Sequence, residues 1–125
     1  MPVSELEQFI ASNIQTVEEV EILSLLSRSP ETFWSTDAIA QHLGLKPDLV
    51  AARTRDLQRR RLVKGGDSGP VFRYGPADEN LRLMVERLIV EYRERRIGVI
   101  NAIYSANLTR LRSFADSFKL GGGNS

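Results

Sequence analysis

Residues 35–74 constrain the fold of this chain more than any other stretch, because two glycine-marked breaks divide them into two short helices and a hairpin. Ser35 or Thr36 is suited to cap a helix running through Leu43, and Gly44 follows as a left-handed stop. A second helix is expected from Pro47, since proline is tolerated in a first turn, to about Arg61. Val50 and Leu57 stand two turns apart on one face of it, so both point inward with Thr54 between them. Leu62-Val63-Lys64 and Pro70-Val-Phe-Arg-Tyr74 then flank Gly65-Gly-Asp-Ser-Gly69, the pattern of two short strands around a glycine-rich turn. Pro70 opens its strand, where a missing N–H is tolerable.

The rest of the chain reads as helix. Leu6, Phe9, Ile10 and Ile14 mark a short N-terminal helix from about Ser4. Thr16-Val-Glu-Glu19 is a capping-box pattern opening a second helix, with Val17, Val20, Ile22, Leu23, Leu25 and Leu26 covering a wide, deeply packed face. Ser29-Pro30 stops it, and Phe33-Trp34 is either a small strand or a core plug. Asp78 is placed to cap a long helix with Leu81, Met84, Val85, Leu88, Ile89 and Tyr92 on its apolar side. Val99, Ile100, Ile103 and Tyr104 continue the phase, so one helix to about Ser105 is expected, with a strand over residues 97–103 as the alternative. Residues 108–118 read as a short final helix through Leu108, Leu111, Phe114 and Phe118, and residues 121–125 as a flexible tail. The expected segments are 1–15, 16–76, 77–120 and the tail.

Composition narrows the chemistry. The 125 residues include no Cys and one His, which argues against disulfides, thiolate catalysis and multi-His metal sites. No apolar run approaches the ~20 residues of a membrane span, and residues 1–15 lack the layout of a signal peptide. A cytoplasmic protein without a membrane partner is the expectation. Glu18, Glu19 and Glu21 suit a solvated helix face, His42 lacks a nucleophile pattern, and the glycine-rich turn lacks the Lys-Ser/Thr of a phosphate loop. Neither an enzyme nor a metal or other cofactor is expected.

The net charge of +1 hides an uneven distribution. Residues 1–33 hold six acids and one base, a net of −5. Residues 34–76 hold eight bases and four acids, a net of +4, and residues 77–125 a net of +2. A basic central segment points to a polyanion partner.

The order helix, helix, short strand, helix, turn, helix, β-hairpin, helix resembles the winged helix-turn-helix domain. The resemblance covers about residues 17–76 and is carried by IAQHLGLKPDLVAARTRDLQRRRLV at residues 39–63 and the hairpin to Tyr74. It includes the small-residue turn Leu43-Gly44-Leu45, the inward pair Val50 and Leu57, Ala40 at the helix crossing, and Leu62-Val63 leading into the wing. The chain is similar to bacterial MarR-like transcriptional regulators, which implies a mainly α fold with a small β-hairpin wing and flanking helices that build a dimer. Two residues depart from the pattern: Thr54, where an aliphatic residue is common, and Arg61, where a glycine or small residue often stands.

The resemblance implies sequence-specific contact with double-stranded DNA. The outward positions of the second motif helix include Ala51, Ala52, Arg55 and Arg59, with Lys46 at its start and Arg53 at the border. Arg55 is the candidate for a base edge, because arginine pairs bidentately with guanine. Arg53, Arg59, Arg60, Lys64 and Arg73 suit phosphates, Ala51 and Ala52 allow close approach, and Thr36 and Gln41 are placed to anchor the backbone. Asp48 and Asp56 oppose this locally or pair within the helix. The stripe Leu81, Met84, Val85, Leu88, Ile89, Tyr92, Val99, Ile100 and Ile103 is the expected homodimer interface, with coverage by the terminal helices as the alternative. A small-molecule effector between the dimer helix and the core is a further option. The competing function is a winged-helix module that binds protein and not DNA.

Overall fold

The computed structural model describes residues 4–122, with side chains to residue 117. Helices α1 (Glu5–Asn13) and α2 (Val17–Ser27) lead to a two-residue strand β1 (Trp34–Ser35). Helices α3 (Thr36–Leu43) and α4 (Pro47–Arg59), strands β2 (Val63–Gly65) and β3 (Val71–Tyr74), and helices α5 (Glu79–Glu94) and α6 (Arg96–Gly122) complete the chain. The described residues are therefore mainly helical, with one small antiparallel sheet in the order β1-β3-β2.

Local chemistry accounts for the element ends. Ser4 Oγ accepts from the Glu7 N–H, and Glu7 reaches back to Ser4, closing a capping box at α1. Thr16 and Glu19 form the same device at α2. Ser35 caps α3 by accepting from the Ala38 N–H at 3.0 Å. Gly44 ends α3 at φ 69°, the left-handed value that glycine adopts without a Cβ penalty. Pro47 begins α4 and Asp78 caps α5. In the sheet Trp34 lies opposite Phe72, and Val63 opposite Tyr74.

One apolar cluster joins these elements, with Ile10, Ile14, Ile22, Leu23, Leu26, Ile39, Val50, Leu57, Leu62 and Leu88 among its fully buried members. Phe72 is buried within it, Trp34 is half-buried, and Phe33 is exposed rather than a core plug. Thr54 is also fully buried, and its hydroxyl donates to the Val50 carbonyl at 2.8 Å. The polar group at an aliphatic position is thereby satisfied by its own helix.

Two expectations about the C-terminal half need correction. The helix from Asp78 does not run to Ser105, because it breaks at Arg95, whose φ −137° and ψ 61° lie outside helical geometry. Residues 97–103 are then helical, and residues 108–118 belong to the same α6 instead of a separate helix. Apolar phase runs through a one-residue break undisturbed, so periodicity alone does not reveal where a helix changes direction. Of the segment expected as a tail, Gly121 and Gly122 still belong to α6, and residues 123–125 lie outside the described residues.

The second correction concerns the stripe expected to meet a second copy. Met84, Val85, Leu88, Ile89, Tyr92, Val99 and Ile103 are buried within the chain, and Leu81 and Ile100 pack half-buried against the same cluster. Helix α2 lies against α5, and α1 against both α5 and α6, so the terminal helices cover the stripe. Among the described residues no helix is long and apolar enough to cross a membrane.

The turn out of α4 stores strain. Arg61 takes φ 65°, a conformation that costs an L-residue with a side chain about 1–2 kcal/mol. It is held there because the Arg61 N–H donates to Gln58 and its carbonyl accepts from Ala77. Arg61→Gly is expected to stabilise the fold by about 1 kcal/mol, offset in part by the freer unfolded chain. Urea unfolding of the two proteins checks this through an increased midpoint at unchanged slope.

Candidate nucleic-acid interface

Helix α4 is pinned from one side. Leu45 N–H donates to the Ala40 carbonyl at 2.9 Å, closing the turn after α3, and Val50 and Leu57 are fully buried. The opposite face carries Asp48, Ala52, Arg55 and Arg59 in one row at helical spacing, all exposed. Lys46 stands exposed at the N-terminal end, and its side chain makes no capping bond. Gln41 is exposed on α3, and Ala51 is partly covered beside the row.

The hairpin continues this surface. Lys64 lies directly opposite Arg73 across the β2–β3 pair, on the face away from buried Val63, Phe72 and Tyr74. The stem of Lys64 lies over Gly75, where a Cβ would sit 2.7 Å from Lys64 Cγ. Arg73 places its guanidinium over the Phe33 ring, 5.5 Å from the centroid. Gln58, one turn after Arg55 along α4, covers Gly65, where a Cβ would sit 2.7 Å from Gln58 Nε2. The Arg55–Gln58 edge of α4 thus borders the hairpin.

The cations of this segment fall into two groups. Arg53 Nε lies 3.7 Å from Glu18, Arg59 Nη1 is 3.4 Å from Asp56, and Arg60 Nη1 is 3.5 Å from Glu19. Among the described residues Lys46, Arg55, Arg61, Lys64 and Arg73 make no ion pair.

Three residues expected at the interface therefore stand elsewhere. Arg60 turns inward and donates to the Asn13 carbonyl at 2.9 Å. Arg53 is half-buried towards α2, and Thr36 is buried with its N–H donating to the Pro70 carbonyl. Arg59 remains on the exposed row, although it shares its charge with Asp56. Arg61 and Phe33 were not among the expected interface residues. The signal for Phe33 is strand alternation, because the residue before Trp34 falls on the same side as Arg73.

Arg53 turns towards Glu18, and Arg60 turns inward towards Glu19. Its carboxylate is fully buried and accepts from the Gln15 and Thr16 N–H groups at 2.6 and 3.0 Å. Burial raises its pKa above the ordinary 4.5, opposed by those two hydrogen bonds and by the charges of Arg60 and Arg53. No family model matches this chain, and no curated protein matches it.

Removing the Glu19 carboxylate opens the cap and leaves Arg60 facing a void. Glu19→Ala is expected to destabilise the fold by about 3 kcal/mol. Glu19→Gln keeps the acceptor for the two N–H groups but has no proton to lose. Because the folded pKa is raised, the stability drawn from Glu19 is full below 4.5 and declines as pH rises through the folded-state value. Urea unfolding across that range should show the stability difference shifting steadily towards the Gln variant as pH increases.

Proposed function

We propose that the chain is a double-stranded DNA-binding regulator that uses α3 and α4 as a winged helix-turn-helix and the β2–β3 hairpin as its wing, in the manner of the MarR-like proteins its sequence resembles. The observation that carries this reading is the sorting of charge. Lys46, Arg55, Arg61, Lys64 and Arg73, without ion pairs among the described residues, stand at α4, the turn after it and the hairpin, while inward-turned Arg53 and Arg60 are matched by carboxylates. Like charges placed opposite one another on a hairpin repel, so the Lys64–Arg73 pair is a feature that an external anion relieves. A phosphate backbone is such an anion.

In this reading Arg55 reaches a base edge from the exposed row of α4, one turn beyond Ala51 and Ala52, which permit close approach. Lys46, Arg61, Lys64 and Arg73 hold phosphates, with Phe33 steadying the Arg73 guanidinium. Binding followed by fluorescence anisotropy should weaken with salt at a slope of about −0.9 per phosphate contacted, hence about −3.6 for these four. Lys64→Ala should reduce the slope by about 1 on every duplex, whereas Arg55→Ala should cost about 1–3 kcal/mol on the preferred sequence alone. A flat salt response favours the protein-binding alternative, which the exposed Asp48 at the leading end of α4 suits.

A homodimer remains part of the proposal, on a different surface. Ile97, Tyr104 and Leu111 follow at seven-residue intervals on α6 and are 69%, 66% and 63% exposed. Seven-residue spacing is the period that a partner helix follows along a seam. Light scattering should return twice the chain mass, and Ile97→Glu combined with Tyr104→Glu should return the mass of one chain. A wild-type monomer removes the dimer from the reading and leaves the DNA surface intact.

A further inference from the structure

The hairpin carries charges of opposite sign on its stem and on its tip. Across the stem, Lys64 on β2 lies opposite Arg73 on β3, and Phe33, just before β1, stands on the other side of Arg73. Phe33, Arg73 and Lys64 therefore form one row across the sheet, on the face away from buried Phe72 and Tyr74. The tip beyond this row, Gly65-Gly-Asp-Ser-Gly-Pro70, holds no Lys or Arg, and its one charged residue is Asp67. Asp67 is exposed and makes no ion pair among the described residues.

The turn is drawn close to the stem. The Gly66 N–H donates to the Val71 carbonyl at 2.9 Å, and the Val71 N–H donates to the Gly69 carbonyl at 2.8 Å. Gly69 takes φ 94°, which a residue without a Cβ adopts freely. Gly66 also lies against the Phe33 ring, where a Cβ would sit 3.1 Å from two ring carbons. Asp67 thus reaches no more than about 10 Å past the Lys64–Arg73 row, three residues at strand rise. Strand side chains stand perpendicular to their sheet, so the two cations leave the hairpin from its face and not from its end.

This placement opposes entry into DNA tip first. A narrow minor groove concentrates negative potential and attracts inserted cations, so a carboxylate driven into it is repelled. A hairpin laid sideways on the duplex brings the Phe33–Arg73–Lys64 row to the phosphates and leaves Asp67 beyond the edge of the contact. We propose that the hairpin docks in this second way: Lys64 and Arg73 hold phosphates, Phe33 positions the Arg73 guanidinium, and the tip stays out of the minor groove. Base sequence is then read from the major groove alone, through α4. Side-on docking rests on the DNA-binding reading above, and its test separates the failure of one from the failure of the other.

That test is fluorescence anisotropy with the full chain and an A·T-rich duplex, either free or with its minor groove filled by netropsin. Netropsin should change the dissociation constant by no more than about threefold, and its induced circular dichroism should persist in the protein complex. Asp67→Asn should bind the free duplex within about twofold of the unaltered chain, at the same salt slope. Arg73→Gln should lower that slope by about 1. Phe33→Leu, with an unchanged melting temperature, should weaken binding in the single variant and add little to Arg73→Gln in the double one, because it acts through Arg73. Displacement of netropsin by the protein, or binding weakened about tenfold by netropsin, overturns side-on docking and leaves DNA binding standing. So does an Asp67→Asn chain that binds about tenfold tighter, since its carboxylate would then have faced the groove. An unaltered chain that binds no duplex at low salt overturns the DNA reading itself, and side-on docking with it.

Discussion

The buried carboxylate of Glu19 is the interaction on which the arrangement of this protein depends. It closes the capping box of α2 and accepts from both N–H groups of the turn that leads out of α1. Burying an anion demands a cation, and α4 supplies Arg60 directly and Arg53 close by. The α1–α2 turn is thus fixed to the C-terminal end of α4. The same demand sorts the arginines of α4, absorbing two into the body and leaving Arg55 and Arg59 on the outer row.

A second consequence follows from the placement of α1 and α2. Together they cover the apolar side of α5 and the first turns of α6, so the chain completes its own core. The proposed second copy would meet the exposed Ile97, Tyr104 and Leu111 row of α6, while Asn107 and Arg110 of that helix hold the α1 end through the Gln15 and Ala11 carbonyls. An assembly built there would leave the α4–hairpin surface free.

Much of this was legible in the residues themselves, where the governing interactions are local. Thr16 with Glu19, Ser35, Gly44, Pro47 and Asp78 each act within four residues of their position, and each marks an element end as their chemistry dictates. The inward pair Val50 and Leu57 was equally plain. What could not be read depends on distant partners. Arg60 looks like Arg59 in sequence, and only the Asn13 carbonyl and Glu19, 47 and 41 residues away, turn it inward. The stripe from Leu81 to Ile103 looks the same whether a second copy or the terminal helices cover it. The bend at Arg95 leaves no mark because the apolar phase continues beyond it. The candidate site was legible at exposed Lys46, Arg55 and Lys64 and at half-buried Arg73, and hidden where pairing decided the outcome.

The account rests on the distinction between cations spent on the fold and cations left on its surface. Amide and side-chain NMR shifts during titration with duplex DNA at low salt test that distinction residue by residue. The account predicts shifts concentrated at Lys46, Arg55, Arg61, Lys64 and Arg73, with the Arg53 and Arg60 guanidinium signals unmoved. Shifts gathered instead along α6 or at Glu18, Glu19 and Arg60, or none at all, would contradict it.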